Sequence, residues 1–236
     1  VFRRMKENPR TKGISVIFLS GLNEVEDEAH GLAMGAVDYI TKPFKPALLR
    51  ARVSNQLELK LYRDRLEDLV RERTAEIELV QHVTIESLAC LAEYRDPETG
   101  MHIRRTQHFV LELAQALRQM PKYAETLDTT YVENLYRSAP LHDIGKVGVP
   151  DAILQKPGKL TEEEFEEMKK HTIYGHDTLA AAEKQLGSNS FLRVAREMAQ
   201  THHEKWDGTG YPGGLSGEDI PLCGRIMAVA DVYDAL

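Results

Sequence analysis

The stretch THHEKWDGTGYPGG, Thr201–Gly214, sets two adjacent histidines before the chain's only tryptophan and four glycines in seven residues. One imidazole is often a satisfied core group. Two in sequence suggest that two things nearby need nitrogen ligands. The preceding residues, NSFLRVAREMAQ, carry apolar side chains at helical spacing, so the pair is expected to close a helix. Neighbouring helical residues project about 100° apart. His202 and His203 are therefore expected to serve different ions lying close together. The glycines after them allow a sharp turn.

Outward from this pair, the second half of the chain is helical in pattern almost throughout, with no repeat. VENLYRSAPLHDIGK (132–146) has apolar residues at helical spacing and ends in a turn bearing His142 and Asp143. TEEEFEEMKKH (161–171) opens with a Thr161–Glu164 capping box, which fixes that helix start and is expected to leave His171 near its end. LCGRIMAVADVYDAL (222–236) is a further helix with Asp231 inside an apolar run, where an unpaired carboxylate would be expensive. Glu98 and His102 lie four apart in PETGMHIRRT and share a face if that segment is helical.

Each of these signals alone has an ordinary explanation, such as a surface His–Asp pair or a dipole partner at a helix end. Together they make a mixed imidazole and carboxylate ligand set. His142 can bind one ion while the two oxygens of Asp143 reach the next. Ligand type suits Mn, Fe, Zn or Ni without choosing among them. His30, His82, His108 and His176 are assigned no role. Glu204 and Asp207 can orient ligands or loop backbone, although a turn cap explains Asp207 as well.

The combination of HDIGK, HHEKWDGTGYP and VADVYDAL resembles an HD-GYP domain, a subgroup of the HD metal-dependent phosphohydrolases, over residues 88–236. That resemblance implies an all-helical fold, two or three divalent ions with Fe or Mn favoured, and hydrolysis of cyclic di-GMP to pGpG or GMP. It implies that His142, Asp143, His171, His202, His203 and Asp231 form a two-metal core. It further implies that Glu98 and His102 serve a third ion, that Lys146 contacts phosphate and that Tyr211 lines the substrate pocket. Two alternatives stay open: within enzymes, an HD phosphohydrolase of another cyclic dinucleotide; from another class, a non-catalytic effector that binds a dinucleotide or a diguanylate cyclase. Trp206 is expected to pack the glycine loop against the helices.

The first 52 residues read differently. ISVIFLS (14–20), a polar segment at 23–34 and GAVDYITKPF (35–44) give strand, helix, strand, the signature of a parallel βα unit. They resemble the C-terminal half of a response-regulator receiver domain of flavodoxin-like α/β fold. In that resemblance Ser20 is the hydroxyl that senses the phosphoryl group, Tyr39 is the aromatic switch, and Lys42 belongs to a cis Lys-Pro pair. The phosphoacceptor aspartate of such a domain lies earlier than residue 1. The resemblance implies an upstream sensor histidine kinase; an unrelated βαβ piece is the alternative.

Residues 53–87 contain neither proline nor glycine and are dense in charge. On a heptad frame Leu59, Tyr62, Leu66, Leu69, Val80 and Val83 form a seam that Arg73 and Glu76 interrupt. A linker helix, and through it a homodimer, is expected; an amphipathic helix lying on its own domain is the rival.

Composition sets outer limits. Hydrophobic residues make up 42% and charged ones 28%, with a net charge of -7. That balance argues against a general nucleic-acid binder, but not against a phosphate-bearing substrate, since metal ions can supply positive charge. Cys90 and Cys223 stand in apolar surroundings and are expected to be buried thiols of a reducing cytoplasm. No apolar run is long enough for a membrane span. The chain begins without methionine and is expected to be a fragment cut at both ends.

Overall fold

The computed structural model describes residues 1–21, 25–94, 101–187 and 191–236; the side chains of residues 25–28 lie outside that description. The chain divides into two units, Val1–Ile77 and Glu78–Leu236.

In the first unit, a short helix α1 (Phe2–Glu7) precedes β1 (Ile17–Ser20), α2 (Val25–Ala33) and β2 (Asp38–Thr41). The strands pair in parallel, with Phe18 opposite Tyr39 and Ser20 opposite Thr41. Tyr39 and Ile40 are buried. The Lys42 amide donates to the Ser20 carbonyl at 2.7 Å, so the two residues meet at one edge of the pair. Lys42–Pro43 is cis.

The helix α3 (Pro46–Glu93) runs 48 residues, extending past both ends of the expected linker. Proline at its first position has no N–H to leave unsatisfied there. Ion pairs one turn apart line its surface, such as Lys60 with Asp64 at 2.9 Å and Arg73 with Glu76 at 2.5 Å. Cys90 is exposed on this helix, contrary to the expectation of a buried thiol. Its neighbours Ala89 and Ala92 take the packed face instead.

The second unit is helical among the described residues. α4 (His102–Arg118) and α5 (Thr129–Ser138) are followed by 3₁₀ turns at Ala139–Leu141 and Ile144–Gly148. Next come α6 (Asp151–Leu154), α7 (Glu162–Lys169), α8 (His171–Leu186), α9 (Leu192–Thr201) and α10 (Leu222–Asp234). The Asp128 carboxylate caps α5 by accepting from the Tyr131 amide at 2.6 Å. The capping box at α7 forms as its sequence predicts. α9 sits between two apolar clusters. Val194 and Met198 join Val110, Leu135 and Met227 on one side, while Ala195 and Ala199 join Leu141 and Leu179 on the other. His202 lies three residues past Ala199, so the face that buries these alanines also carries its ring inward.

Two helix ends differ from expectation. His171 does not end α7; it opens α8 after the break at Lys170. α9 ends at Thr201, with His202 as its C-cap, so His203 already belongs to the turn. No helix among the described residues is long and apolar enough to cross a membrane.

Candidate metal centre

The two 3₁₀ turns bring His142 and Asp143 against the start of α8 and the end of α9. The approach is close enough that a Cβ on Gly145 would lie 1.9 Å from the His171 carbonyl oxygen and 2.4 Å from the Gly175 nitrogen. Only hydrogen fits there. From this junction two ligand groups assemble. Asp143, His171, His202 and His203 form one; His102, His142 and Asp231 form the other. Within each group the candidate ligand atoms lie within 4.8 Å of one another.

Asp143 stands between them. One carboxylate oxygen is 3.3 Å from His171 Nε2 and 3.4 Å from His202 Nε2. The other is 3.4 Å from His142 Nε2 and 2.8 Å from Lys146 Nζ. Across the second group, Asp231 is 3.4 Å from His102 Nε2 and 4.0 Å from His142 Nε2.

His202 and His203 were expected to serve separate ions; the structure brings both into the Asp143 group. Their ring centroids are 4.0 Å apart with planes 43° from parallel. The 100° step assumes continuing helix, and the helix stops one residue before the pair. The second group draws its histidines from His102 and His142 instead.

Tautomers follow from the hydrogen bonds. His142 Nδ1 donates to the Ala139 carbonyl at 2.9 Å, His171 Nδ1 to Met168 at 2.8 Å, and His202 Nδ1 to Ala199 at 3.0 Å. A carbonyl only accepts, so each Nδ1 carries the proton, and in a neutral ring Nε2 offers its lone pair. These three Nε2 atoms and one Asp143 oxygen are buried without hydrogen-bond partners. Lone pairs therefore face a carboxylate across 3.3–3.4 Å. That arrangement is unfavourable alone and suited to a cation between them. Ligands about 2.1 Å from a shared tetrahedral ion would stand about 3.4 Å apart. The residues fit divalent metal.

Protonation equilibria agree. Burial opposes charge on Asp143, yet His142 and Lys146 hold its carboxyl well below the usual carboxylate range. Burial takes His171 down to about 4 and His203 down to about 2, leaving both neutral and free to ligate at neutral pH. Burial also opposes charge on His142, but the Asp143 and Asp231 carboxylates outweigh it and push that ring up to about 9. Without an ion, a proton on His142 takes the cation's place.

Two carboxylates that sequence reasoning passed over belong to this centre. Asp234 accepts from His102 Nδ1 at 2.7 Å and is held by Arg105 through bonds of 2.5 and 2.8 Å. It thereby fixes the His102 tautomer and turns Nε2 toward Asp231. Its signal was the three-residue spacing from Asp231, which places both on one face of α10. Replacing Asp234 by alanine is expected to lower metal affinity at the His102 group about 10- to 100-fold. Metal titration should show this loss while the Asp143 group still binds, with helix content unchanged by circular dichroism. Glu93, at the end of α3, is the other: it is 5% exposed and its Oε2 has no hydrogen-bond partner. Burial pushes its carboxyl up to about 7 against the pull of His102 and His142. Glu98 lies outside the described residues.

The glycine loop forms the wall. Glu204 is buried and accepts from the amides of Gly213 at 2.6 Å and Leu215 at 2.9 Å, pinning the loop to the end of α9. Tyr211 lies over His203, with ring centroids 4.7 Å apart and planes 32° from parallel, and meets Phe165 edge-on at 6.0 Å. Asp207 closes its own turn by accepting from the Thr209 amide at 2.9 Å. Trp206 is 64% exposed and lines a groove with Leu113, Ile220 and Ile226, so it packs the loop less fully than expected. Ser20, Tyr39 and Lys42 belong to the first unit.

Comparison with known proteins places this geometry. Residues 87–236 match the HD domain family. The chain is 50% identical over 244 residues to a Vibrio cholerae protein named "Probable cyclic di-GMP phosphodiesterase", covering all of this chain and 55% of that relative. It is 37% identical over 241 residues to a cyclic di-GMP phosphodiesterase response regulator of Xanthomonas campestris, covering 99% of this chain and 60% of the relative. A 3'3'-cGAMP-specific phosphodiesterase of Vibrio cholerae is 44% identical over 150 residues, 64% of this chain and 26% of its own length.

Proposed function

The chain belongs to the HD domain family, and on that premise we propose that it is the phosphodiesterase part of a response regulator, hydrolysing cyclic di-GMP. The observation that carries the proposal is the Asp143 carboxylate set between the buried, lone-pair-bearing Nε2 atoms of three histidines.

His171, His202, His203 and Asp143 would hold one divalent ion, and His102, His142 and Asp231 would hold another. Such ions, Fe or Mn in the first instance, supply a Lewis-acidic pull on phosphoryl oxygens and lower the pKa of water. Asp234 keeps His102 aimed. The Lys146 ammonium, anchored at Asp143, presents positive charge where negative charge develops on the phosphoryl oxygens. Tyr211, braced by His203 and Phe165, lines the substrate pocket. Water attacks phosphorus and one P–O bond to the sugar breaks, giving linear pGpG; a second cleavage gives GMP. No side-chain nucleophile is required. Glu98 remains the candidate ligand of a third ion.

The remaining assignments rest on resemblance and on the response-regulator relative. Residues 1–52 act as the end of a receiver domain, with Ser20, Tyr39 and Lys42 as its switch, under a sensor kinase. Residues 53–87 act as a linker to the hydrolase at 88–236, in the cytoplasm. A diguanylate cyclase is a further candidate partner. The relative named for 3'3'-cGAMP favours that mixed dinucleotide as the second substrate to try. Metal-loaded protein should release pGpG or GMP from cyclic di-GMP by liquid chromatography; binding without release would leave an effector.

A further inference from the structure

Five of the eight residues of α7 are glutamate, and Lys169 at its end is the one cation among them. Its ammonium lies 4.9 Å from the centre of the Phe165 ring and 5.7 Å from that of Tyr211, within reach of both ring faces. Phe165 stands four residues earlier, on the same side of the helix. Tyr211 arrives from the glycine loop, and the two rings meet edge-on at 6.0 Å. Tyr211 in turn lies over His203 and stands 6.4 Å from His171 between ring centroids. A row of rings therefore joins the ligands of the Asp143 group to Lys169. The ammonium also pairs with Glu166 at 2.7 Å. That carboxylate is 68% exposed while the lysine side chain is 27% exposed, so the rings cover Lys169 more than its ion pair does. A pair this open to water holds its members weakly and can be exchanged for another anion.

We propose that Lys169 is a substrate-binding residue that takes the second phosphate of a cyclic dinucleotide. The proposal rests on the hydrolase reading given above. Such a substrate carries two phosphodiesters, each with one negative charge, and the metal centre with Lys146 acts on one at a time. The other approaches a chain whose net charge is -7 and a helix rich in glutamate. Lys169 supplies the opposite charge at the wall that Tyr211 forms, and its ammonium offers three donors to phosphate oxygens. Glu166 is released to water as phosphate takes its place. Charge at this position then sets how tightly the dinucleotide is held, while the rate of the chemical step stays with the metal centre.

The test compares the Mn²⁺-loaded full chain with Lys169→Met, which keeps an unbranched stem and removes the charge, and with Lys169→Arg, which restores it. Two substrates are used: cyclic di-GMP, with two phosphates, and bis(p-nitrophenyl) phosphate, with one. Lys169→Met should raise KM for cyclic di-GMP about tenfold, leave kcat within about twofold, and leave KM for the single-phosphate diester unchanged. Lys169→Arg should stay within about threefold of wild type on both. An unchanged KM for cyclic di-GMP in Lys169→Met overturns the proposal. An equal rise on both substrates overturns it too, since Lys169 would then act as a brace for Tyr211. Equilibrium binding of cyclic di-GMP separates this inference from the hydrolase reading. Wild-type protein that binds without cleaving, with binding about tenfold weaker in Lys169→Met, keeps the inference and removes the hydrolase. Wild-type protein that neither binds nor cleaves cyclic di-GMP overturns both.

Discussion

Replacing Asp143 by asparagine is expected to reduce turnover of a cyclic dinucleotide by at least about a thousandfold. The side chain keeps its shape and loses its charge, and every consequence follows from that loss. Its oxygens face His142, His171 and His202 at 3.3–3.4 Å and Lys146 at 2.8 Å. An amide offers one acceptor and turns an NH₂ toward one of the two groups, so it cannot serve both. Bound metal should fall in the same variant, read by elemental analysis after loading with Mn²⁺. His142→Ala should lose activity as well. Near-normal turnover and metal content in Asp143→Asn would remove Asp143 from the centre of the site.

Gly145→Ala is expected to destabilise the protein by about 3 kcal/mol or more, because the new methyl group has nowhere to go. Its nearest neighbours are backbone atoms, the His171 oxygen at 1.9 Å and the Gly175 nitrogen at 2.4 Å. A side chain could rotate aside; these cannot without moving α8. Since α8 begins at His171, relief of the clash shifts a ligand relative to Asp143. For a chain of this size the loss corresponds to roughly 6–12 °C in Tm. Scanning calorimetry checks it against Gly13→Ala, where nothing lies within 4 Å and the change should stay within about 0.5 kcal/mol. Wild-type stability in Gly145→Ala would mean that the junction of the 3₁₀ turn and α8 has room for a methyl group.

Much of the ligand set was legible because its chemistry is local in sequence. HDIGK, the histidine pair and the aspartate buried in an apolar helix announce themselves as residue types out of place. The capping box at Thr161 fixed a helix start to the residue. What stayed hidden depends on where helices stop and what they meet. His202 and His203 converge because α9 ends at Thr201, a boundary that helical spacing cannot supply. His171 moved from one helix end to the next helix start for the same reason. Glu93 looks like one more charge on a charged helix until burial singles it out, and Cys90 looks buried until α3 turns that side to solvent.

On the proposed function, the buried lone pairs around Asp143 hold divalent ions that make this chain a cyclic di-GMP hydrolase. Protein stripped with chelator and reloaded with Mn²⁺, or anaerobically with Fe²⁺, should convert cyclic di-GMP to pGpG or GMP. The stripped protein and metal-loaded Asp143→Asn should not. If metal-loaded wild-type protein binds cyclic di-GMP and returns it uncleaved, the hydrolase account is contradicted.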